Sequence, residues 1–241
     1  MRYHRLPVLV GVSLAALTGV GAVALSNANK TVVTYHVTDL EALHAFEAEA
    51  PAPHFKLVEP VDWLVSNDRG DPQKTGPCGG SNTDWGTESH VVNEARGGSK
   101  MHLKLMETVF HPGHYRVALA VNSMHELPPD PVTVTRDSVG RGPWSISAEI
   151  QSPAMAPLLA DGLFQHDTRP ATMPQTWEAD IDLPNLNCNR CVIQVVQWMA
   201  NHAFNNPGGF SYHHCAVMKI TADPAKPLDT RWPAERVTQQ E

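Results

Sequence analysis

The sequence predicts an all-β domain, an antiparallel sandwich of short strands joined by long loops. Two observations predict it. The first is punctuation: 20 Pro and 16 Gly among 241 residues break the chain into short apolar runs, which argues against a helical bundle. The second is period two: several runs alternate apolar and polar residues, as half-buried strands do. At 241 residues and 42% hydrophobic content, the chain is long enough to bury a substantial core. The formal net charge of −7, with no block of like charge, excludes the basic face that a nucleic-acid partner needs.

The strands follow in order. Met101, Leu103 and Leu105 face one way between Lys100 and Met106, with Lys100, His102 and Lys104 opposite. Tyr115, Val117, Leu119 and Val121 share a face, and His114, Arg116, Ala118 and Ala120 share the other. Trp177–Ile181 alternates again. Cys191–Trp198 is a nearly continuous apolar run with two glutamines, the pattern of a core strand. Tyr212–Ile220 places Tyr212, His214, Ala216, Met218 and Ile220 on one side. Asp71–Gly86, Leu127–Pro143 and Gln151–Pro174 read as long loops, where function concentrates. Short strands with long loops imply an immunoglobulin- or fibronectin-like sandwich.

The N-terminus has a different character. Met1-Arg2-Tyr3-His4-Arg5 is basic, and Leu6–Leu25 carries no charge. That is an export signal, with small residues near Ala24–Ala28 for cleavage, or an uncleaved membrane anchor through residues 6–25. Residues 1–28 are accordingly read as signal or anchor. Residues 29–53, ending in Pro51-Ala52-Pro53, read as a linker or pro-segment, weakly helical in its middle. Residues 54–233 form the sandwich domain and 234–241 a tail. A secreted or periplasmic location, with or without the anchor, follows from the leader.

Chemistry in this chain points to histidine, of which there are 13. His111-Pro112-Gly113-His114 is a turn entering a strand, His213-His214 is a second group, and His54 opens the domain. Imidazole is the commonest ligand for copper and zinc, although a lone histidine is usually a loop or core residue. Neighbours on a strand alternate sides, so His213 and His214 cannot share a metal without a bulge. The four cysteines, Cys78, Cys188, Cys191 and Cys215, form an even set in an exported chain and imply two structural disulfides. Cys188-Asn189-Arg190-Cys191 opens a strand rather than a helix, which disfavours a redox motif, and zinc would need further ligands. Three pairings remain open. Trp63 and Trp85, in loops, are candidates for contact with a polymer, or for partial burial.

Several pieces in order resemble the lytic polysaccharide monooxygenases, in particular a bacterial branch described as polysaccharide-monooxygenase-like. His54-Phe55-Lys56-Leu57 resembles the mature start of those enzymes, and Gly76-Pro77-Cys78-Gly79-Gly80 their early Cys-Gly-Gly loop. Glu107–Val117, with His111-Pro112-Gly113 and an aromatic strand, resembles the segment that bears their second copper histidine. Leu183-Pro184, Cys188–Gln194 and Tyr212–Ala216 resemble their later motifs. The resemblance covers nearly all of 54–233.

It implies one copper ion held by the N-terminal amine and ring of the first histidine and by a second histidine ring, here His54 and His111. It places Tyr212, or Phe210, near the axial position and Gln197 behind the site as a hydrogen-bonding group. His114 and His214 become candidate supports behind the ligands. It further implies oxidative cleavage of a polysaccharide such as chitin or cellulose, using O₂ or H₂O₂ and an electron donor. The different-class alternative is a non-catalytic copper-binding or carbohydrate-binding protein on the same scaffold. Two departures stand out. His54 follows Pro53 in mid-chain, so a free amine there requires trimming, and Val217 stands where the resembling pattern has an acid.

Overall fold

The structure is a computed structural model that describes residues 30–35, 55–60, 64–65, 73–79, 87–138, 142–206 and 208–236. The apolar leader, His54, Trp63 and Trp85 lie outside the described residues. Among the described residues no helix is long and apolar enough to cross a membrane. No α-helix occurs among them either; Met124–Glu126 is a 3₁₀ turn.

The fold is the expected β-sandwich. Among the described residues thirteen strands run β1 (Lys30–Thr34), β2 (Phe55–Glu59), β3 (Leu64–Val65), β4 (Thr87–Glu88), β5 (Val92–Arg96), β6 (Lys100–Glu107), β7 (Gly113–Ala120), β8 (Thr133–Ser138), β9 (Gly142–Gln151), β10 (Leu158–His166), β11 (Gln175–Asp182), β12 (Cys188–Met199) and β13 (Ser211–Thr221). The central sheet has the order β10-β7-β12-β13-β5. Two three-stranded sheets, β11-β6-β2 and β1-β9-β8, flank it, and β3 and β4 form a small ribbon. Every pairing is antiparallel except β13 with β5, which is parallel, so the sandwich is not purely antiparallel as the sequence suggested.

The main core lies between the central sheet and β11-β6-β2. Leu103 and Leu105 of β6 meet Tyr115, Val117 and Leu119 of β7, Ile193 and Val195 of β12, and Ala216, Met218 and Ile220 of β13. The opposite face of the central sheet is also covered. Tyr35, Ala148, Trp198, Ala200 and Phe210 form a second cluster there, with Val33 packed on it. Cover on both faces explains why all of β7 is buried and why β12 reads as a continuous apolar run.

Several segments differ from the sequence reading. Within 29–53, expected as a linker, Lys30–Thr34 is a strand paired along its length with β9. Tyr35 just beyond it is buried, with Oη 2.9 Å from His114 Nδ1. The Gln151–Pro174 stretch, expected as loop, contains β10. That strand hides from a periodicity search because its register shifts three times against β7 and Gly162 and Phe164 adopt positive φ (67° and 51°). β8 and the start of β9 likewise fall inside the expected loop 127–143. Gly113, by contrast, is explained by its place in the sequence turn. A Cβ there would stand 2.0 Å from the Trp198 carbonyl oxygen, so only glycine lets β7 start this close to β12.

Both disulfides form, and the open choice of pairing resolves to Cys78–Cys215 and Cys188–Cys191, with no free cysteine among the described residues. The first closes 137 residues and fastens the 73–79 loop to β13; the second spans 3. Loop-closure entropy then sets an order. Cys78→Ala or Cys215→Ala is expected to cost about 4–5 kcal/mol, and opening the short bridge with Cys191→Ala about 1.5–2 kcal/mol. Chemical denaturation of each variant measures the difference; equal losses contradict this account.

Candidate metal and catalytic site

At one end of the sandwich a carboxylate is fully buried: Glu107, the last residue of β6, is 0% exposed. An ionised group in such a place must be surrounded by donors. Its Oε1 accepts the backbone N–H of His111 at 2.8 Å and Nε2–H of Gln197 at 3.2 Å. Its Oε2 accepts Trp177 Nε1–H at 2.9 Å, and His166 Nε2 lies 3.3 Å from the same oxygen. Four elements therefore converge on one side chain: the turn after β6, then β10, β11 and β12. The inward-facing row across the central sheet reads Tyr115, Gln197, Tyr212 in register, which brings Gln197 to the carboxylate.

His166 sits between two oxygens. Its Nδ1 is 2.6 Å from the Phe164 carbonyl oxygen and its Nε2 faces Glu107. Burial alone would lower its pKa; the bond to Glu107 and the charge of that carboxylate outweigh burial and raise it.

His111 is 0% exposed. Its Nδ1 is 3.1 Å from the Val109 carbonyl oxygen, an acceptor, so Nδ1 carries hydrogen and the bond orients the ring. Metal-bound histidines are commonly oriented by a backbone carbonyl in this way. The Tyr212 ring meets the His111 ring edge-on, with centroids 5.4 Å apart. Phe210, the other axial candidate, packs instead in the second cluster with Trp198 and Tyr35. The structure thus brings His111, Tyr212 and Gln197 to one end of the sandwich. His54 lies outside the described residues, but its neighbour Phe55 pairs with Glu107 in the β2–β6 ladder.

The other histidines part company. His114 lies on the far face of β7, stacked on Trp198 with centroids 5.2 Å apart. Burial first, then the charges of Arg116 and His166, push its pKa down to about 3, so it is neutral. His213 Nδ1 is 3.0 Å from the Gln73 carbonyl oxygen and its Nε2 is 2.8 Å from Asp130 Oδ1. His214 Nε2 meets the side-chain amide of Gln73. Together with Cys78–Cys215, the His213-His214 pair clamps the 73–79 loop onto β13. Among the described residues no three His, Cys, Asp or Glu side chains gather as a metal cage.

Sequence reading missed four residues of this end: Glu107, His166, Trp177 and His202. The His202 ring lies 5.4 Å from that of His111 and 6.3 Å from that of Tyr212. Glu107 ends an alternating strand on its inward side and could have been flagged as a charge at a core position. His166 and Trp177 meet it, and His202 approaches His111, only through long-range packing.

The raised His166 pKa carries a sign. The fold binds this proton more tightly than the unfolded chain, so the stabilisation is complete below the unfolded value of about 6.5 and is lost as pH rises through the folded value. Glu107→Gln removes the charge that holds the proton. The variant is expected to lose about 3–5 kcal/mol, to lower the His166 pKa and to flatten this segment of the stability–pH profile. Histidine NMR titration with denaturation at several pH values checks both effects; an unmoved His166 pKa contradicts the assignment.

No family model matches the chain, and no curated protein does. A similar solved structure is that of a glycoside hydrolase family 61 member, Cel61B from Hypocrea jecorina. It is 13% identical, with 86% of this chain and 83% of that chain covered, at a TM-score of 0.36.

Proposed function

We propose that this is an exported copper-dependent oxidase that cleaves glycosidic bonds of a polysaccharide such as chitin or cellulose, with His54 and His111 as copper ligands. The observation that carries the reading is the setting of His111: the Val109 carbonyl takes its Nδ1–H and orients the ring, with the edge of Tyr212 against it. The donor chemistry fits, since imidazole nitrogen suits copper. Copper would supply one-electron chemistry toward O₂ or H₂O₂, with electrons from an external donor. The chain's own groups orient and shield. Glu107 fixes the His111 backbone, and Gln197 is anchored to the same carboxylate. Tyr212, buried beside the ring, excludes water from one side of it. The pairing of Phe55 with Glu107 supports His54 as the partner ligand, because the two chain segments run side by side at this end. Export is supported by the basic–apolar leader and by two disulfides.

A second reading has its own observation. β1 is part of the sheet, so a chain that keeps residues 30–35 also keeps His54 in a peptide bond. In that state the fold serves as a copper-binding or carbohydrate-binding protein without oxidative turnover.

Copper affinity separates them. A chain beginning at His54 is expected to bind one Cu(II) tightly. His111→Ala abolishes this binding, His114→Ala affects it little, and extension back to Asn29 weakens it sharply, because an amide must lose its proton to coordinate. Calorimetry measures affinity, circular dichroism confirms folding, and mass spectrometry reports oxidised oligosaccharides released from chitin or cellulose. Equal affinity for the two starts contradicts the role of the His54 amine. Polymer binding without oxidised products supports the second reading.

A further inference from the structure

We propose that the N-terminal strand, with Tyr35 at its end, is a proton-released latch: it closes over a neutral His114, and a proton on that ring opens it. The inference goes beyond the copper reading and does not depend on it.

Three observations carry it. First, β1 is held from one side. It is the edge of its sheet, paired with β9 alone, and four of its five residues are exposed. Its side-chain grip is small: Thr34 Oγ1 against Ser147 Oγ at 2.6 Å, a half-exposed ion pair of Lys30 with Glu149 at 3.0 Å, Val33 on the second cluster, and Tyr35. Trp198, the other ring against His114, lies on β12 in the middle of the central sheet and does not yield as an edge strand does.

Second, the ring is sealed. His114 is 0% exposed, and its Nδ1 lies 2.9 Å from Tyr35 Oη. That hydroxyl can donate to a neutral ring or turn to accept from a charged one, so this bond survives a proton. Nε2 has no hydrogen-bond partner among the described residues. A charged ring therefore buries an unmatched N–H, and water reaches it only when a cover leaves.

Third, the charges facing the ring do not offset a proton. Arg116, two residues along β7, is itself buried, and its charge opposes protonation, as does that of His166 from β10. Asp161 of β10 has Oδ1 4.0 Å from Nε2, beyond hydrogen-bond distance. Its carboxylate takes the backbone N–H groups of Gln151 and Gly162 at 2.9 and 2.8 Å and faces Arg116, as Asp130 does. Asp167 faces Tyr35. Burial raises the pKa of Tyr35, so β1 brings an uncharged group, and β12 brings the uncharged Trp198. Burial, then Arg116 and His166, hold the His114 pKa of the closed state at about 3, against about 6.5 for a solvated ring. The closed state is therefore fully favoured above about 6.5 and loses up to about tenfold per pH unit as pH falls below that value. Acid thereby frees the segment whose removal the His54 amine requires.

The exported chain is tested without truncation. Hydrogen exchange with mass spectrometry compares the amides of 30–35 with those of β6 at about pH 7.5 and about pH 5, corrected for the chemical exchange rate. In acid, 30–35 is expected to lose roughly ten- to thirtyfold in protection while β6 is unchanged. His114→Gln, which cannot take the proton, is expected to show equal protection at both pH values. The exposed His125→Gln keeps the wild-type response. Tyr35→Phe lowers protection at both pH values and keeps the acid loss, because the ring stays covered. Histidine NMR titration of the wild-type chain gives a reading that needs no variant: His114 takes up its proton over the pH range in which 30–35 opens. Four results overturn the inference. They are protection of 30–35 that ignores pH, the same acid loss in folded His114→Gln, a loss shared equally by β6, or a proton taken up by His114 while 30–35 stays protected.

Discussion

The site depends on one buried negative charge. Glu107 ends β6 with its carboxylate withdrawn from water, a position that an ion tolerates only when donors replace its solvent shell. The partners come from four elements: His111 just beyond the strand, His166 from β10, Trp177 from β11 and Gln197 from β12. Meeting the needs of one carboxylate thus fixes where three strands end relative to one another. It also fixes the turn that aims His111. His166, whose pKa is raised by its bond to this carboxyl, pairs with it directly, so the group is not isolated.

The second organising feature is that the central sheet is covered twice. Burial on both faces accounts for the apolar continuity of β12 and for the complete burial of β7. It also separates the histidines of the His-Pro-Gly-His turn. His111 stays with Tyr212 at the end of the main core, whereas His114 is pressed between Tyr35 and Trp198 on the other side. Desolvation there keeps His114 neutral, which suits a packing residue that accepts or donates one hydrogen bond to Tyr35. The N-terminal strand is one wall of this second layer, so trimming the chain to His54, as the copper proposal requires, would remove part of that layer.

Much of the fold was legible because its best strands are regular. Lys100–Glu107 and Gln175–Asp182 alternate cleanly since one face of each meets solvent, and β13 and β12 declare themselves by apolar content. β10 was not legible, because positive φ at Gly162 and Phe164 and repeated register shifts destroy the period that sequence reading relies on. β1 was obscured by its setting between an apolar leader and an alanine- and glutamate-rich stretch. Of the site, His111, Tyr212 and Gln197 were readable from motif order. Glu107 showed only as a charge at an inward strand position, and His166, Trp177 and His202 were not readable, since long-range packing alone brings them to this end. The His213-His214 pair, which invited a metal reading, is taken up by Asp130 and Gln73.

The tautomer of His111 is the point on which packing, hydrogen bonding and proposed metal chemistry meet. Two-bond ¹H–¹⁵N correlation spectra of the histidine side chains, recorded near neutral pH before and after one equivalent of Cu(I), observe it directly. The account predicts a neutral His111 with its hydrogen on Nδ1, and an Nε2 resonance that moves on addition of the metal. A hydrogen on Nε2, or an Nε2 resonance indifferent to copper, would contradict it.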